Sequence, residues 1–271
     1  MKIARVAFMW MTGTLLSCVA FAETVPAPIL QEIGIDQKLN GQIPLDLVFH
    51  DESGKDVFLK QYFGTKPVVL VFVYYECPML CTLTLNGLER SLRAIPFNAG
   101  TDFEVVAVSF DPHETPALAA AKKKQYTNEY RRPGTESGWH FLTGNPAEIE
   151  ALTNAAGFRY RFDSQTQQWA HATGIMTLTP EGRISRYFYG VEYSARDLRL
   201  ALVEASNHRI GAVTDQVLLY CYSYDPATGK YGFAILSLVR VAGIFTVLAL
   251  LVFIVGAVRR EHSNAAPTRW S

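Results

Sequence analysis

Residues 66–81 read KPVVLVFVYYECPMLC, and this stretch decides the fold. Lys66-Pro67 opens an unbroken β-branched and aromatic run over residues 68–74. With no polar residue at alternate positions, the run suits a strand buried on both faces, as in the middle of a parallel sheet. After Tyr75-Glu76 comes Cys77-Pro78-Met79-Leu80-Cys81. Proline fits the first turn of a helix, and the pattern over residues 79–95 is helical until Pro96 stops it. Cys77 then falls at or just before the helix start and Cys81 about one turn in, with both sulfurs able to face the same side. The unpaired N–H groups and positive dipole end of a helix start favour thiolate. A thiolate is both a redox nucleophile and a soft metal ligand, so this local physics leaves electron exchange and metal binding open. A purely structural disulfide is the weaker reading, because so short a loop adds little stability by entropy.

Working outward, residues 45–50 and Val57-Phe58 flank Asp51-Glu52-Ser53-Gly54-Lys55, a hairpin pattern. Residues 103–110 (FEVVAVSF) repeat the doubly buried strand signature, and Thr115-Pro116 opens a helix to about residue 130. Residues 132–138 read as a loop and 139–142 as a short strand, and Asn145-Pro146 with Glu148 starts a helix that fails at Gly157. Residues 175–178 and 184–189 flank Pro180-Glu181-Gly182 as a hairpin, and Ser194 with Asp197 caps a last helix to about residue 207. Strand–helix alternation followed by a hairpin and a helix predicts an α/β domain over residues 45–210. Its expected architecture is a mixed central sheet with helices on both faces, as in a thioredoxin-like fold.

Both ends of the 271-residue chain are apolar. Lys2 and Arg5 precede an apolar run that leads into Ala20-Phe21-Ala22, the pattern of a signal peptide over residues 1–22 cleaved after Ala22. A retained N-terminal anchor and lipidation at Cys18 are the alternatives. Residues 23–44 form an N-terminal extension. A further hairpin is expected within residues 211–235, around Asp225-Pro226-Ala227-Thr228-Gly229, next to a membrane. Residues 241–258 (VAGIFTVLALLVFIVGAV) carry no charge and would rise about 27 Å as a helix, near the hydrocarbon thickness. A transmembrane helix is therefore expected over residues 236–258. Arg259 and Arg260 follow it, which by the positive-inside rule puts the tail, residues 259–271, in the cytoplasm. The expected location is a bacterial inner membrane with the domain in the periplasm, where thiols meet an oxidising compartment. Lys+Arg and Asp+Glu both number 25, so no global field recruits nucleic acid. Hydrophobic residues at 49% exclude a disordered chain, and four cysteines are too few for a disulfide scaffold.

From about residue 45 to residue 207 the sequence resembles the Sco/SenC family of copper-binding, thioredoxin-like proteins that serve cytochrome c oxidase assembly. The resemblance is carried by Lys66-Pro67-Val68-Val69-Leu70-Val71-Phe72, by Cys77-Pro78-x-x-Cys81, by Val108-Ser109-Phe110-Asp111-Pro112, by Trp139-x-x-Leu142-Thr143-Gly144, and by His171 ahead of a strand and a Pro-x-Gly turn. It implies one copper ion, Cu(I) or Cu(II), held by Cys77, Cys81 and His171. Chemically, two thiolates suit Cu(I) and an imidazole lets the site hold Cu(II) as well. Zinc accepts the same ligands once a fourth donor completes a tetrahedron. Thr82 stands where the family often has proline, and Asp111-Pro112-His113-Glu114-Thr115-Pro116 is one residue shorter than the family's stretch. These departures, with the C-terminal anchor, mark a divergent branch and leave the three ligands untouched.

Asp111 either orients His171 and gates the copper loop or caps the turn before Pro112. His113 is read as a solvated loop residue, and His50, His140 and His208 as structural. Cys221 is either a supplementary ligand or redox partner, or a half-buried hairpin thiol. The resemblance implies a membrane-anchored copper metallochaperone whose recipient is a cytochrome oxidase subunit or another copper protein. The alternative is an exported thiol-disulfide oxidoreductase using Cys77 and Cys81 as a redox-active pair, with Cys77 attacking. Against it, Ala170-His171-Ala172-Thr173-Gly174 lacks the proline that thioredoxin-type reductants set facing their cysteines. A thiol peroxidase would need a threonine three residues before Cys77, where Tyr74 stands.

Overall fold

The structure, a computed structural model, describes residues 32–77, 80–210, 224–225, 230–231 and 233–264. The expected signal peptide with Cys18, the helical placement of Pro78 and Met79, Cys221 with most of the hairpin expected within 211–235, and the end of the tail lie outside the described residues.

In chain order the elements are β1 (Gly34–Ile35), β2 (Val48–His50), β3 (Asp56–Phe58), β4 (Val68–Val73), α1 (Leu80–Arg93), β5 (Glu104–Ser109), α2 (Pro116–Tyr130), β6 (Trp139–Leu142), α3 (Pro146–Ala156), β7 (Phe158–Asp163), β8 (Gln168–His171), β9 (Gly174–Leu178), β10 (Ile184–Tyr189), α4 (Ala195–Ser206), β11 (Tyr224–Asp225), β12 (Lys230–Tyr231) and α5 (Phe233–Asn264). The main sheet has the order β10-β9-β4-β5-β6. Strands β4, β5 and β6 run parallel, while β9 and β10 are antiparallel to their neighbours. This is the expected mixed α/β, thioredoxin-like arrangement.

Every residue of β4 and β5 is buried, so both faces of the sheet centre are covered. The two β–α–β crossovers progress the same way along the sheet, and their usual right-handedness puts α1 and α2 on one face. Helix α4 packs against α1 and joins that layer. On the other face Phe158 of β7 meets Phe72 of β4 with ring centroids 5.0 Å apart. Each buried Val or Leu of β4 contributes about 1.5–3 kcal/mol by area, which makes this strand the rigid base for whatever follows it.

Strands β2 and β3 form the hairpin expected around residues 51–55. Thr115 and Asn145 occupy N-cap positions with extended backbone but no side-chain cap bond, whereas Ser194 does accept the N–H of Asp197. Gly157 ends α3 in the left-handed region at φ 70, as a stop there requires.

One feature the sequence reading did not contain is the three-stranded antiparallel ribbon β1-β7-β8. Its signal is the alternation Phe158-Arg159-Tyr160-Arg161-Phe162-Asp163, apolar against polar with period two. Consequently His171 does not merely precede a strand: it is the last residue of β8, opposite Tyr160. Residues 34–35 of the N-terminal extension form the third strand of that ribbon.

Among the described residues no helix is long and apolar enough to cross a membrane. The span expected at 236–258 lies within α5 (Phe233–Asn264).

Gly87 sits on α1 where that helix meets the backbone at residues 191–192; a Cβ there would lie 1.8 Å from the Val191 carbonyl oxygen. Helix propensity alone favours Gly87→Ala by about 1 kcal/mol. Overpacking against fixed backbone outweighs that, so the variant should lose about 1–3 kcal/mol net. The thermal midpoint of the full-length chain checks the sign; a rise would show that the 191 loop yields freely.

Candidate metal centre

Beyond Val73 the chain leaves the sheet, and a turn bond from the Cys77 N–H to the Tyr74 carbonyl, 3.2 Å, brings it toward α1. Cys77 is 8% exposed and Cys81 2%. Neither is in a disulfide. The N–H of Cys81, one of the first-turn donors left open by helix geometry, points at the Cys77 sulfur at 3.3 Å. The N–H of Tyr74 in turn points at the Cys81 sulfur, also at 3.3 Å.

His171 arrives from the ribbon, 90 residues later in sequence than Cys81, with its Nε2 3.4 Å from the Cys81 sulfur. The ring is held from the side by Phe110, centroids 5.2 Å apart, and edge-on by Tyr74 at 5.8 Å. Its Nδ1 lies 2.8 Å from the Ala172 carbonyl oxygen. A carbonyl can only accept, so Nδ1 carries the proton and Nε2 turns its lone pair toward the cysteines. One ligand atom from each of Cys77, Cys81 and His171 lies within 4.8 Å of the other two, and all three residues are buried. The sequence-predicted ligands are thus brought together as a three-donor pocket.

Burial pushes the Cys81 thiol far up, and the neighbouring Cys77 adds to the rise; the Tyr74 N–H pulls the other way and loses. The helix start favours thiolate at this pair, and at Cys81 burial opposes it more strongly. Helix-end donors reach the Cys77 sulfur, but Cys81 sits one turn deeper, where desolvation dominates.

Two sulfurs and a neutral imidazole nitrogen form a soft set that completes three-coordinate Cu(I). The donor chemistry therefore fits copper.

The hydrogen bonds of the Asp111 carboxylate go to His113 and not to His171. The carboxylate accepts the main-chain N–H of His113 at 3.0 Å and pairs with that ring's Nδ1 at 2.9 Å, holding the turn. His113 is exposed, with His50 beside Asp56, His140 beside Glu104 and His208 beside Glu181. Sequence reading passed over Glu114, a buried carboxylate that bonds the residues just ahead of Cys77. The aromatic wall around His171 is Tyr74 just past β4, Phe110 just past β5 and Phe158 at the start of β7, and only the last has a sequence signal in the β7 alternation.

With its proton held past the ordinary thiol range, Cys81 in the reduced, metal-free chain should react with iodoacetamide at a rate still climbing above about pH 9. Peptide-resolved mass spectrometry checks this. A plateau near neutral pH would mean that the thiolate is already formed and that burial does not dominate.

The SCO1/SenC family matches residues 37–205 of the chain. No curated protein matches it. Among solved structures, a protein of Aquifex aeolicus VF5 described as a candidate electron transfer protein superposes with a TM-score of 0.56 at 26% identity, covering 64% of this chain and 96% of its own. A second from the same organism, described as a candidate electron transport protein, gives 0.52 at 26% identity over 64% and 100%. A SCO1/SenC family lipoprotein from Bacillus anthracis str. Ames gives 0.50 at 18% identity over 64% and 99%, a likeness of fold alone. The family match takes in β4, both cysteines, His171 and the whole of the main sheet, and on that ground this chain belongs to the SCO1/SenC family.

Proposed function

We propose that the chain is a copper metallochaperone that holds one copper ion on Cys77, Cys81 and His171 and passes it to a respiratory cytochrome oxidase subunit or another copper protein. The observation that carries this reading is the convergence of two thiols and an imidazole lone pair in one buried pocket. Bound copper would supply the charge that lets both sulfurs remain as thiolates in a site where burial otherwise keeps Cys81 protonated. The residues around it do the rest. Ala172 fixes the imidazole tautomer, and Tyr74 and Phe110 keep water off the ring.

The proposal extends to location: an exported domain held by residues 236–258, with the tail at 259–271 in the cytoplasm and the domain in the periplasm. In support, residues 241–258 carry no charge, and apolar side chains on α5 stand open on all sides, Val241 at 64%, Phe245 at 75% and Phe253 at 74% exposure. A helix with no polar face has no stable place in water.

Anaerobic Cu(I) titration of the reduced full-length chain in detergent, against a competing chelator, should give one tight equivalent. Cys77→Ser and Cys81→Ser should abolish it, and His171→Ala should weaken it by about tenfold to a hundredfold. Binding that survives either cysteine change would end the three-ligand assignment. Thiol exchange with a partner protein that proceeds equally in His171→Ala, with no copper uptake by the parent, would establish the oxidoreductase instead. Alkaline carbonate washing should leave the chain in the membrane fraction; release into the supernatant would remove the anchor.

A further inference from the structure

Glu114 is buried, 8% exposed, yet it is not one of the metal-ligand residues. Its carboxylate lies between two loops. Oε2 accepts the main-chain N–H of Tyr75 at 2.7 Å and the hydroxyl of Ser109 at 2.5 Å, and Oε1 accepts the main-chain N–H of Glu76 at 2.7 Å. Three donors point at it and pull its pKa down, while burial, the larger effect, and the nearby Asp111 charge raise it, so the carboxyl stands above its usual range even as its oxygens accept all three bonds.

The position of those donors matters. Tyr75 and Glu76 are the two residues directly ahead of Cys77, at the point where the chain has left the rigid strand β4. Ser109 ends β5 in register with Val73, the last residue of β4. One carboxylate therefore ties the end of β5 to the first free peptide groups beyond β4. It fixes the orientation of two successive peptide planes, and with them the direction in which the chain enters Cys77. Nothing else described bonds those two N–H groups, and Tyr75 is only 3% exposed, so water does not replace the carboxylate cheaply there.

We propose that Glu114 is a positioning residue for the metal loop: by holding the N–H groups of Tyr75 and Glu76 it keeps Cys77 in reach of Cys81 and His171 before copper arrives. The proposal rests on the copper reading above and names the group that pre-forms its donor set. A loop already ordered in the metal-free protein spares the ion the cost of ordering it, so the effect is read as affinity.

The test compares the full-length, reduced parent with Glu114→Gln, Glu114→Asp and Glu104→Gln. Glu104 is also a buried carboxylate, paired with Lys66 and His140, but it begins β5 and so lies at the far end of that strand from Ser109. Glu114→Gln should hold Cu(I) at least about tenfold more weakly than the parent. In the metal-free protein its Tyr75 and Glu76 amides should exchange with deuterium faster. Glu104→Gln should lose thermal stability to a similar degree yet keep the parent's affinity. Parent affinity in a folded Glu114→Gln would overturn the proposal, as would an equal loss of affinity in Glu104→Gln, which would reduce the effect to general destabilisation. Should Glu114→Gln not fold, Glu114→Asp keeps the charge with a reach one methylene shorter and should show an intermediate loss; parent affinity and exchange rates there would also overturn it. A parent that takes up no copper sinks the copper reading and this inference together, whereas a copper-binding parent with unaffected Glu114 variants sinks the inference alone.

Discussion

Strand β4 is paired on both edges and buried on both faces, and this constraint organises the rest of the molecule. No polar side chain can be satisfied along its length, so chemistry can begin only where the strand stops. It stops beside the start of α1, where main-chain N–H groups have no intrahelical acceptor and that of Cys81 turns to the Cys77 sulfur. The cysteine pair occupies that junction, so its base is as rigid as the sheet and its upper side is open to whatever the opposite layer brings. What that layer brings is His171, delivered by a ribbon that the Phe72–Phe158 contact presses onto the sheet.

Two opposing forces then act at the site. Main-chain donors from Cys81 and Tyr74 favour charge on the sulfurs, while burial disfavours it. At Cys81 burial outweighs the donors, so that thiol holds its proton until a soft cation displaces it. A carbonyl-fixed imidazole adds a third donor that thiol exchange does not require.

Much of this was legible in the sequence because it is local. The runs at 68–74 and 103–110 are too apolar for anything but central strands, the Pro78 and Pro96 punctuation brackets the helix after Cys77, and the Pro-x-Gly turn marks β9 and β10. The ligands were legible through motif resemblance rather than geometry. Long-range features were not. The β7–β8 ribbon has a clear period-two alternation, but its pairing with β1 joins residues more than 120 apart, which no local pattern specifies. Glu114 meets Tyr75 from 39 residues away, and no spacing rule links a carboxylate to main-chain groups at that separation. Asp111 was weighed between two roles, and its oxygens hold the His113 turn while the His171 ring uses a neighbouring carbonyl instead. The depth of Cys81 likewise depends on what packs over it, which a helix-start argument does not contain.

The central claim is a first coordination shell of two sulfurs and one imidazole nitrogen on a single copper ion. X-ray absorption at the copper edge of the full-length chain loaded anaerobically with one equivalent of Cu(I) reads that shell directly. The account predicts three-coordinate copper with two sulfur neighbours and one nitrogen neighbour, with the outer-shell scattering of an imidazole ring that disappears in His171→Ala. A shell of sulfur alone, or one of nitrogen and oxygen without sulfur, would contradict it.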